Sequence, residues 1–291
     1  MIEKSRGSAL LEGIIAGVLF GTAAIFIRLI DINAFSIALW RLIIAAAVLT
    51  IIILVQKGKL GTSSFKSNVK HFFVLGILLG IHFVLFISAV KETTILNATV
   101  LVNTTPIFSM IISTFLYRIK PSKLALAGMA LSFVGAGLIA YGDVRRGETA
   151  NLIGNLEATL AAVAEGFYLN YGREKRVRLP LLPTMLFIYV AAALTVGVTS
   201  AVTTTVFEMP NSLEILLLLI GLGVLSTATA HTLYFSSLSN LKSFETATMA
   251  LLEPIGATLL GIMLFAELPA PIFVVGAALV LVGICSIALG R

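Results

Sequence analysis

Cysteine is all but missing from this 291-residue chain. Its single copy, Cys285, excludes an internal disulfide and a thiolate-based metal site, and its place inside an apolar run reads as a small core residue. Charge is equally sparse, with Asp, Glu, Lys and Arg making up 12% of the residues, too little to solvate a soluble domain of this length. Aspartate occurs only as Asp31 and Asp143. Both are expected in loops, which removes the paired intramembrane aspartates that one class of membrane enzyme needs. No G-x-x-x-x-G-K-[ST] phosphate loop is present, so ATP is not the direct energy source. Nothing has the form of a channel filter loop, and no motif asks for a cofactor or a metal.

Apolar residues fill the chain instead, at 58% of the total with a mean hydropathy of +1.06. A bilayer core takes about 20 helical residues per crossing. The sequence offers ten such runs, at 9–30, 33–56, 71–91, 93–117, 122–141, 151–172, 180–204, 213–237, 243–265 and 268–290. They are continuous rather than alternating with period 2, which predicts helices and not a β-barrel. The first run follows Met-Ile-Glu-Lys-Ser-Arg, a basic start like that of a signal peptide. It is long and lacks a small-residue cleavage site, so a retained first helix is expected. The short loops leave no room for a soluble domain.

The net charge of +6 sorts by side of the membrane. With ten spans drawn, Lys4, Arg6, Lys57, Lys59, Lys66, Lys70, Arg118, Lys120, Lys123, Arg173, Lys175, Arg176, Arg178, Lys242 and Arg291 share one side. The other side receives Arg28, Lys91, Arg145 and Arg146, and Arg41 lies inside span two. Positive residues accumulate in the cytoplasm, so both termini are expected there, in a multi-pass protein of the cell (plasma or inner) membrane. The basic balance then reflects topology, and nucleic acid is not an expected partner.

Internal repetition is the strongest signal. An offset of 148 pairs Ser88 with Ser236, Pro106 with Pro254, Leu116 with Leu264, Pro121 with Pro269, Gly128 with Gly276, Gly135 with Gly283 and Gly142 with Gly290. The N-terminal parts pair more weakly at an offset of 145, Glu12 with Glu157, Gly21 with Gly166, Phe26 with Tyr171 and Arg28 with Arg173. The reading is an all-α membrane protein with ten transmembrane helices in two five-helix copies, residues 1–145 and 146–291. An odd number of spans per copy makes the copies inverted, the arrangement of many secondary transporters. Glycines at 13, 17 and 21, at 76 and 80, and every seventh residue in spans five and ten are expected to let helices approach closely. Pro106 and Pro254 sit mid-span, where each is expected to kink its helix, either as a paired hinge or as a bend that closes the bundle.

These residues resemble a known family. The stretch Leu252-Glu253-Pro254-Ile255 with Gly261, then Phe265-Ala266-Glu267 and the Gly276 to Gly283 helix, is similar to the ninth and tenth spans of EamA-type carriers of the drug/metabolite transporter superfamily. Thr105-Pro106-Ile107-Phe108 and Phe86-Ile87-Ser88-Ala89 resemble the first-half counterparts. The resemblance extends over the whole chain in length, span count and repeat. It implies two inverted five-helix copies around a central cavity, with export of metabolites or amino acids as a common activity. Two departures stand out. Span one has Phe20-Gly21 where many relatives carry Trp-Gly, and span six has Glu165-Gly166 at the matching place, an acid where an apolar wall is usual.

Ionisable groups at membrane depth cost about 2.5–3.5 kcal/mol to insert and are candidate functional groups. Glu253, ten residues into span nine, is a candidate for binding an amine or carrying a proton, or a structural acid beside the bend. Glu165, deep in span six with Tyr168 one turn on, is a second proton candidate, or a partner for Arg41. Arg41 is a candidate for a substrate carboxylate, against snorkelling or pairing with an acid. His82 and His231 are near-equivalents, since Phe83 is the repeat mate of His231; each is read as a packing histidine or as a group that titrates near neutral pH. Asn97, Asn103, Tyr168 and Tyr234 complete a set of polar groups suited to a wet cavity, although hydroxyl side chains also bond their own helix.

The function expected is a secondary active transporter, not an enzyme, that exports small metabolites, amino acids or related amphipathic compounds first among them. Alternating access around a central cavity is the mechanism, with protons as the candidate coupling ion. The alternatives are an intramembrane enzyme acting on lipid, and a channel. The expected partners are a small-molecule substrate and the lipid bilayer, and ten helices suffice for a cavity within a monomer.

Overall fold

The fold is taken from a computed structural model, which describes residues 5–56, 62–143, 151–176, 179–265 and 271–290. Lys4, Lys57, Lys59, Arg145, Arg146, Arg178, Ala266, Glu267, Pro269 and Arg291 lie outside the described residues. The elements are α1 Arg6–Leu29, α2 Ala34–Val55, α3 Thr62–Glu92, α4 Ile95–Val102, α5 Thr105–Phe115, α6 Lys123–Asp143, α7 Leu152–Arg176 and α8 Leu181–Val202. Next, α9 Leu213–Gly221 continues through a π-helical segment, Leu222–His231, into α10 Thr232–Ser237. After α11 Ser243–Met249, a 3-10 turn at Ala250–Leu252 leads into α12 Glu253–Phe265, and α13 Pro271–Leu289 closes the chain. Every regular element among the described residues is thus helical.

Side-chain oxygens start several of these helices: Ser5, Asn33, Thr94 and Ser212 accept from backbone N–H groups three residues on, the usual N-cap exchange. Seven helical stretches among the described residues are long and apolar enough to cross a membrane. The expected span 122–141 is covered by the 21-residue helix α6, whose stretch Lys123–Leu138 is apolar. α7 carries Asn155, Glu157, Glu165 and Asn170 along its length. The stretch 243–265 is divided by its 3-10 turn, as 93–117 is by the break before Pro106.

The packing of α6 against α13 is the most extensive helix pairing among the described residues, and glycine makes it so. A Cβ on Gly128 would lie 2.5 Å from the Gly283 carbonyl oxygen, and one on Gly135 2.5 Å from that of Gly276. Because 128 meets 283 and 135 meets 276, the two helices run antiparallel. Midway, Ser132 donates to the Val280 carbonyl at 3.3 Å, across a separation of 148 residues. Ser132 therefore touches its own repeat mate, which marks where a local two-fold relating the helices passes.

The weaker offset of 145 has structural counterparts too. Gly21 packs against Gly256 and Ala257 of α12, while Gly166 packs against Phe108 and Ser109 of α5, whose mates at the 148 offset are 256 and 257. Likewise Arg28 Nη2 donates to the Thr93 carbonyl at 2.8 Å and Arg173 Nε to the Leu241 carbonyl at 2.9 Å, and 93 and 241 are again 148 apart. Two contacts made twice, in matching registers, tie the N-terminal segments into the repeat.

The two prolines stand at equivalent breaks. Instead of kinking a continuous helix, each occupies the second position of a new one, Pro106 in α5 and Pro254 in α12. Proline has no N–H and leaves the carbonyl four residues back without its donor. Val102 O receives the Thr105 hydroxyl at 2.8 Å, and Ala250 O receives the Glu253 N–H, so both breaks are satisfied locally. Cys285 is exposed on α13, not in the core as expected: the core-facing stripe of α13 is taken by Gly276, Val280, Gly283, Ile284 and Ile287. Asp143 is the last residue of α6 rather than a loop residue.

At the end of the bundle that holds the start of α1, Arg6 donates from Nη1 and Nη2 to the two Glu245 carboxylate oxygens, each at 3.2 Å. Glu245 is fully buried and also accepts from the Lys242 N–H at 2.8 Å. Arg6→Ala leaves this carboxylate short of donors and is expected to destabilise the protein by about 1–3 kcal/mol, seen as a lower thermal midpoint in detergent. Adding Glu245→Gln should recover part of that loss.

Candidate functional site

Between the two copies lies a cavity of about 30 Å3 lined by Phe20, Ala23, Arg41, His82, Phe83, Phe86, Val102, Asn103, Glu165, His231, Ala250 and Glu253. That is space for about two waters. Its wall comes from α1, α2, α3, α4, α7, the π-helical segment and the α11–α12 break, and it is organised by the repeat. Phe20 and Glu165 are mates at 145; Phe83 and His231, and Val102 and Ala250, are mates at 148. Phe83 and His231 stack edge-on with ring centroids 4.8 Å apart, and Phe20 lies 4.7 Å from His231. In two of these pairs one copy supplies an aromatic ring and the other an ionisable group, so a symmetric frame carries an asymmetric chemistry.

The acids lie on α7 and at the start of α12. Glu253 is 5% exposed and accepts from Asn103 Nδ2 at 3.0 Å. The α4–α5 break positions this amide: Asn103 is the residue where α4 ends. Glu165, 6% exposed, has its Oε2 3.2 Å from the Thr105 hydroxyl and 3.8 Å from His82 Nδ1. The same hydroxyl is 2.8 Å from Val102 O and 3.4 Å from Ala162 O. One hydrogen serves three acceptors, so Glu165 is held loosely. His82 Nδ1 is 3.0 Å from the Ala161 carbonyl, which can only accept, so this nitrogen carries the proton.

Arg41 is 1% exposed and neither snorkels nor pairs with an acid: among the described residues it makes no ion pair. Its Nε donates to Thr227 Oγ1 at 2.9 Å, and its Cζ lies 3.8 Å above the Phe83 ring. Nη1 is buried without a hydrogen-bond partner, as is His231 Nδ1. Thr227 is fixed in turn. Its hydroxyl bonds to the Leu222 carbonyl at 3.1 Å and its own carbonyl accepts from Tyr189 at 2.7 Å, in a π-helical stretch, a feature frequent at functional sites.

Of the polar residues singled out in the sequence, Glu253, Glu165, Arg41, His82, His231 and Asn103 meet in this cavity. Three do not line it. Asn97 is in the first turn of α4, its N–H held by the Thr94 cap. Tyr168 is buried against Phe235 with its hydroxyl toward Met185. Tyr234 stands behind Phe20, ring centroids 5.1 Å apart, its hydroxyl buried and unpartnered. Phe20, Phe83, Phe86, Val102 and Ala250 were absent from that polar set. The repeat offsets could have found four of them, Phe20 and Phe83 as mates of Glu165 and His231, and Val102 and Ala250 as a matched pair one turn before each proline.

The sequence matches the EamA-like transporter family over residues 7–141 and again over 152–289. The chain belongs to that family. In this EamA-like chain the two matched segments coincide with the two halves of the repeat. A solved structure described only as "Crystal structure of protein" is similar at a TM-score of 0.81, 20% identical, over 98% of this chain and 98% of that one, which extends the fold to a second chain. A search of curated proteins finds no match. Membership makes the protein a multi-pass membrane transporter of the drug/metabolite superfamily.

Proposed function

We propose that this protein is a secondary active carrier exporting small metabolites, with amino acids and related amphipathic compounds as the first candidates. Ten helices cross the cell membrane as two inverted copies, 1–145 and 146–291, with both termini in the cytoplasm. The antiparallel packing of the mates α6 and α13 supports the inversion. One observation carries the reading: a cavity at the meeting of the copies whose walls hold Arg41, Glu165, Glu253, His82 and His231. Buried charges on this scale are costly, and a site that must recognise a charged, partly apolar molecule accounts for them together with Phe20, Phe83 and Phe86.

At its present size the cavity is too small for such a substrate, so the walls must part. The breaks before Pro106 and Pro254 are the proposed hinges, one per copy, each beside a cavity residue. Glu165 or Glu253 is the proposed proton carrier. Because one chain builds the whole cavity, a monomer suffices.

Counterflow in proteoliposomes preloaded with a mixture of unlabelled amino acids tests the proposal. Saturable entry of particular labelled amino acids above protein-free vesicles is the expected result. Entry of none would overturn the amino-acid reading and turn the same assay to other metabolites.

A further inference from the structure

Arg41 is a buried cation that makes no ion pair among the described residues. An isolated cation deep in an apolar bundle needs a partner, and the obvious ones are engaged elsewhere: Glu253 with Asn103 and Glu165 beside Thr105 and His82. The guanidinium is nonetheless held in one orientation, by Thr227 at Nε and by the Phe83 face beneath Cζ. That leaves Nη1 buried and without a partner on a residue that lines the cavity. A planar donor fork, fixed at one nitrogen and unpartnered at another, matches the geometry of a carboxylate.

We propose that Arg41 is the carboxylate-binding and specificity-determining residue of the substrate site. Glu253 receives the ammonium of the same molecule, so the cavity selects compounds carrying both charges, as α-amino acids do. This inference rests on the carrier reading above and assigns its polar ends. The Phe20 and Phe83 rings border the apolar remainder of the substrate. A second consequence separates a binding role from a structural one. Removing a structural arginine destabilises a fold, whereas replacing an uncompensated buried cation by a neutral side chain relieves it.

The test uses the full chain in detergent and measures its thermal midpoint with each proteinogenic amino acid. For each one that raises the midpoint, the decarboxylated amine and the methyl ester are compared. The expected result is a rise with the free acid and little with the amine or ester. Arg41→Gln should lose that rise, with affinity falling about tenfold or more, while its ligand-free midpoint stays at or above that of the wild type. Thr227→Val, which keeps the cation but frees Nε, should weaken the response in part.

An amine or ester as effective as the acid, an Arg41→Gln protein that responds normally, or no response to any amino acid would overturn the proposal. So would a ligand-free Arg41→Gln protein well below wild type, since that marks a structural arginine. Counterflow separates this inference from the carrier reading. Flux that ignores the carboxylate leaves a carrier without this subsite; Arg41-dependent stabilisation without flux leaves the subsite and removes the carrier.

Discussion

Gly17→Val is expected to yield no folded, monodisperse protein on purification. A Cβ at this position would stand 2.0 Å from the Met249 carbonyl oxygen and 3.2 Å from Leu252 Cβ. The reciprocal position is as tight, since a Cβ on Gly256 would lie 2.1 Å from the Val18 carbonyl oxygen. The nearest of these neighbours are backbone carbonyl oxygens, so relief requires α1 to move bodily away from the break between α11 and α12. In lipid no hydrophobic drive restores such a contact, and close packing through small residues is the main attraction between helices. Gly256→Val should fail in the same way. Gly137 and Gly197 are the controls, because a Cβ at either meets nothing within 4 Å. Alanine there should leave the protein intact, or stabilise it by up to about 1 kcal/mol through its better helix propensity. A normal elution profile and thermal midpoint for Gly17→Val would show that α1 and α12 are not packed as described.

Uptake driven by a pH gradient is expected to fall to the level of protein-free vesicles when the proton-carrying acid is changed to glutamine, with counterflow preserved. Counterflow needs only that the loaded carrier reorient, whereas gradient-driven flux also needs a group that binds and releases a proton as the cavity changes sides. Glutamine keeps the shape and hydrogen-bonding capacity of either acid but cannot carry a proton. Glu253 and Glu165 differ in how they are held: a hydrogen bond donated by the Asn103 side-chain amide holds the first, and a hydroxyl shared among three acceptors reaches the second. The looser carboxyl is better placed to exchange partners during a cycle, so Glu165→Gln should lose the pH response. Glu253→Gln should mainly raise the substrate concentration needed for half-maximal counterflow. Unchanged pH dependence in both variants would remove proton coupling through these acids.

Much of the architecture is legible in the sequence. The positions of the helical stretches follow from hydropathy alone, because length and apolarity are local properties of the chain. The equivalence of Pro106 with Pro254, and of the seven-residue glycine ladders, is visible as spacing. What spacing does not convey is the form of the breaks. Whether a proline bends a helix or starts a new one depends on which groups satisfy the freed carbonyl. Here the Thr105 hydroxyl and the Glu253 N–H do so, and both prolines become first-turn residues. The glycine ladder also marks the face of α13 that meets α6, and Cys285, two residues beyond Gly283, lies off that face; its apolar surroundings alone do not distinguish the core from the lipid-facing side.

The candidate site divides along the same line. Depth along a helix picks out Glu165, Glu253, Arg41, His82 and His231, because rise per residue is a fixed geometry. The same reasoning admits Tyr168, Tyr234 and Asn97, which are deep or polar but face elsewhere. The rotation of each helix is set by its neighbours, and one sequence without its packing does not contain it.

Hydropathy, helix rise and the repeat are properties a chain carries before it folds. From them alone it follows that this is a helical membrane protein of two related halves, and which charged groups lie too deep to reach water. Packing of the helices is what brings those groups to one cavity, gives Glu253 its Asn103 and Glu165 its Thr105, and leaves Arg41 with a nitrogen unpaired. Such partnerships join residues 60 to 186 positions apart. Helix-on-helix contact at glycine backbones selects them, and no local property of the chain encodes that contact.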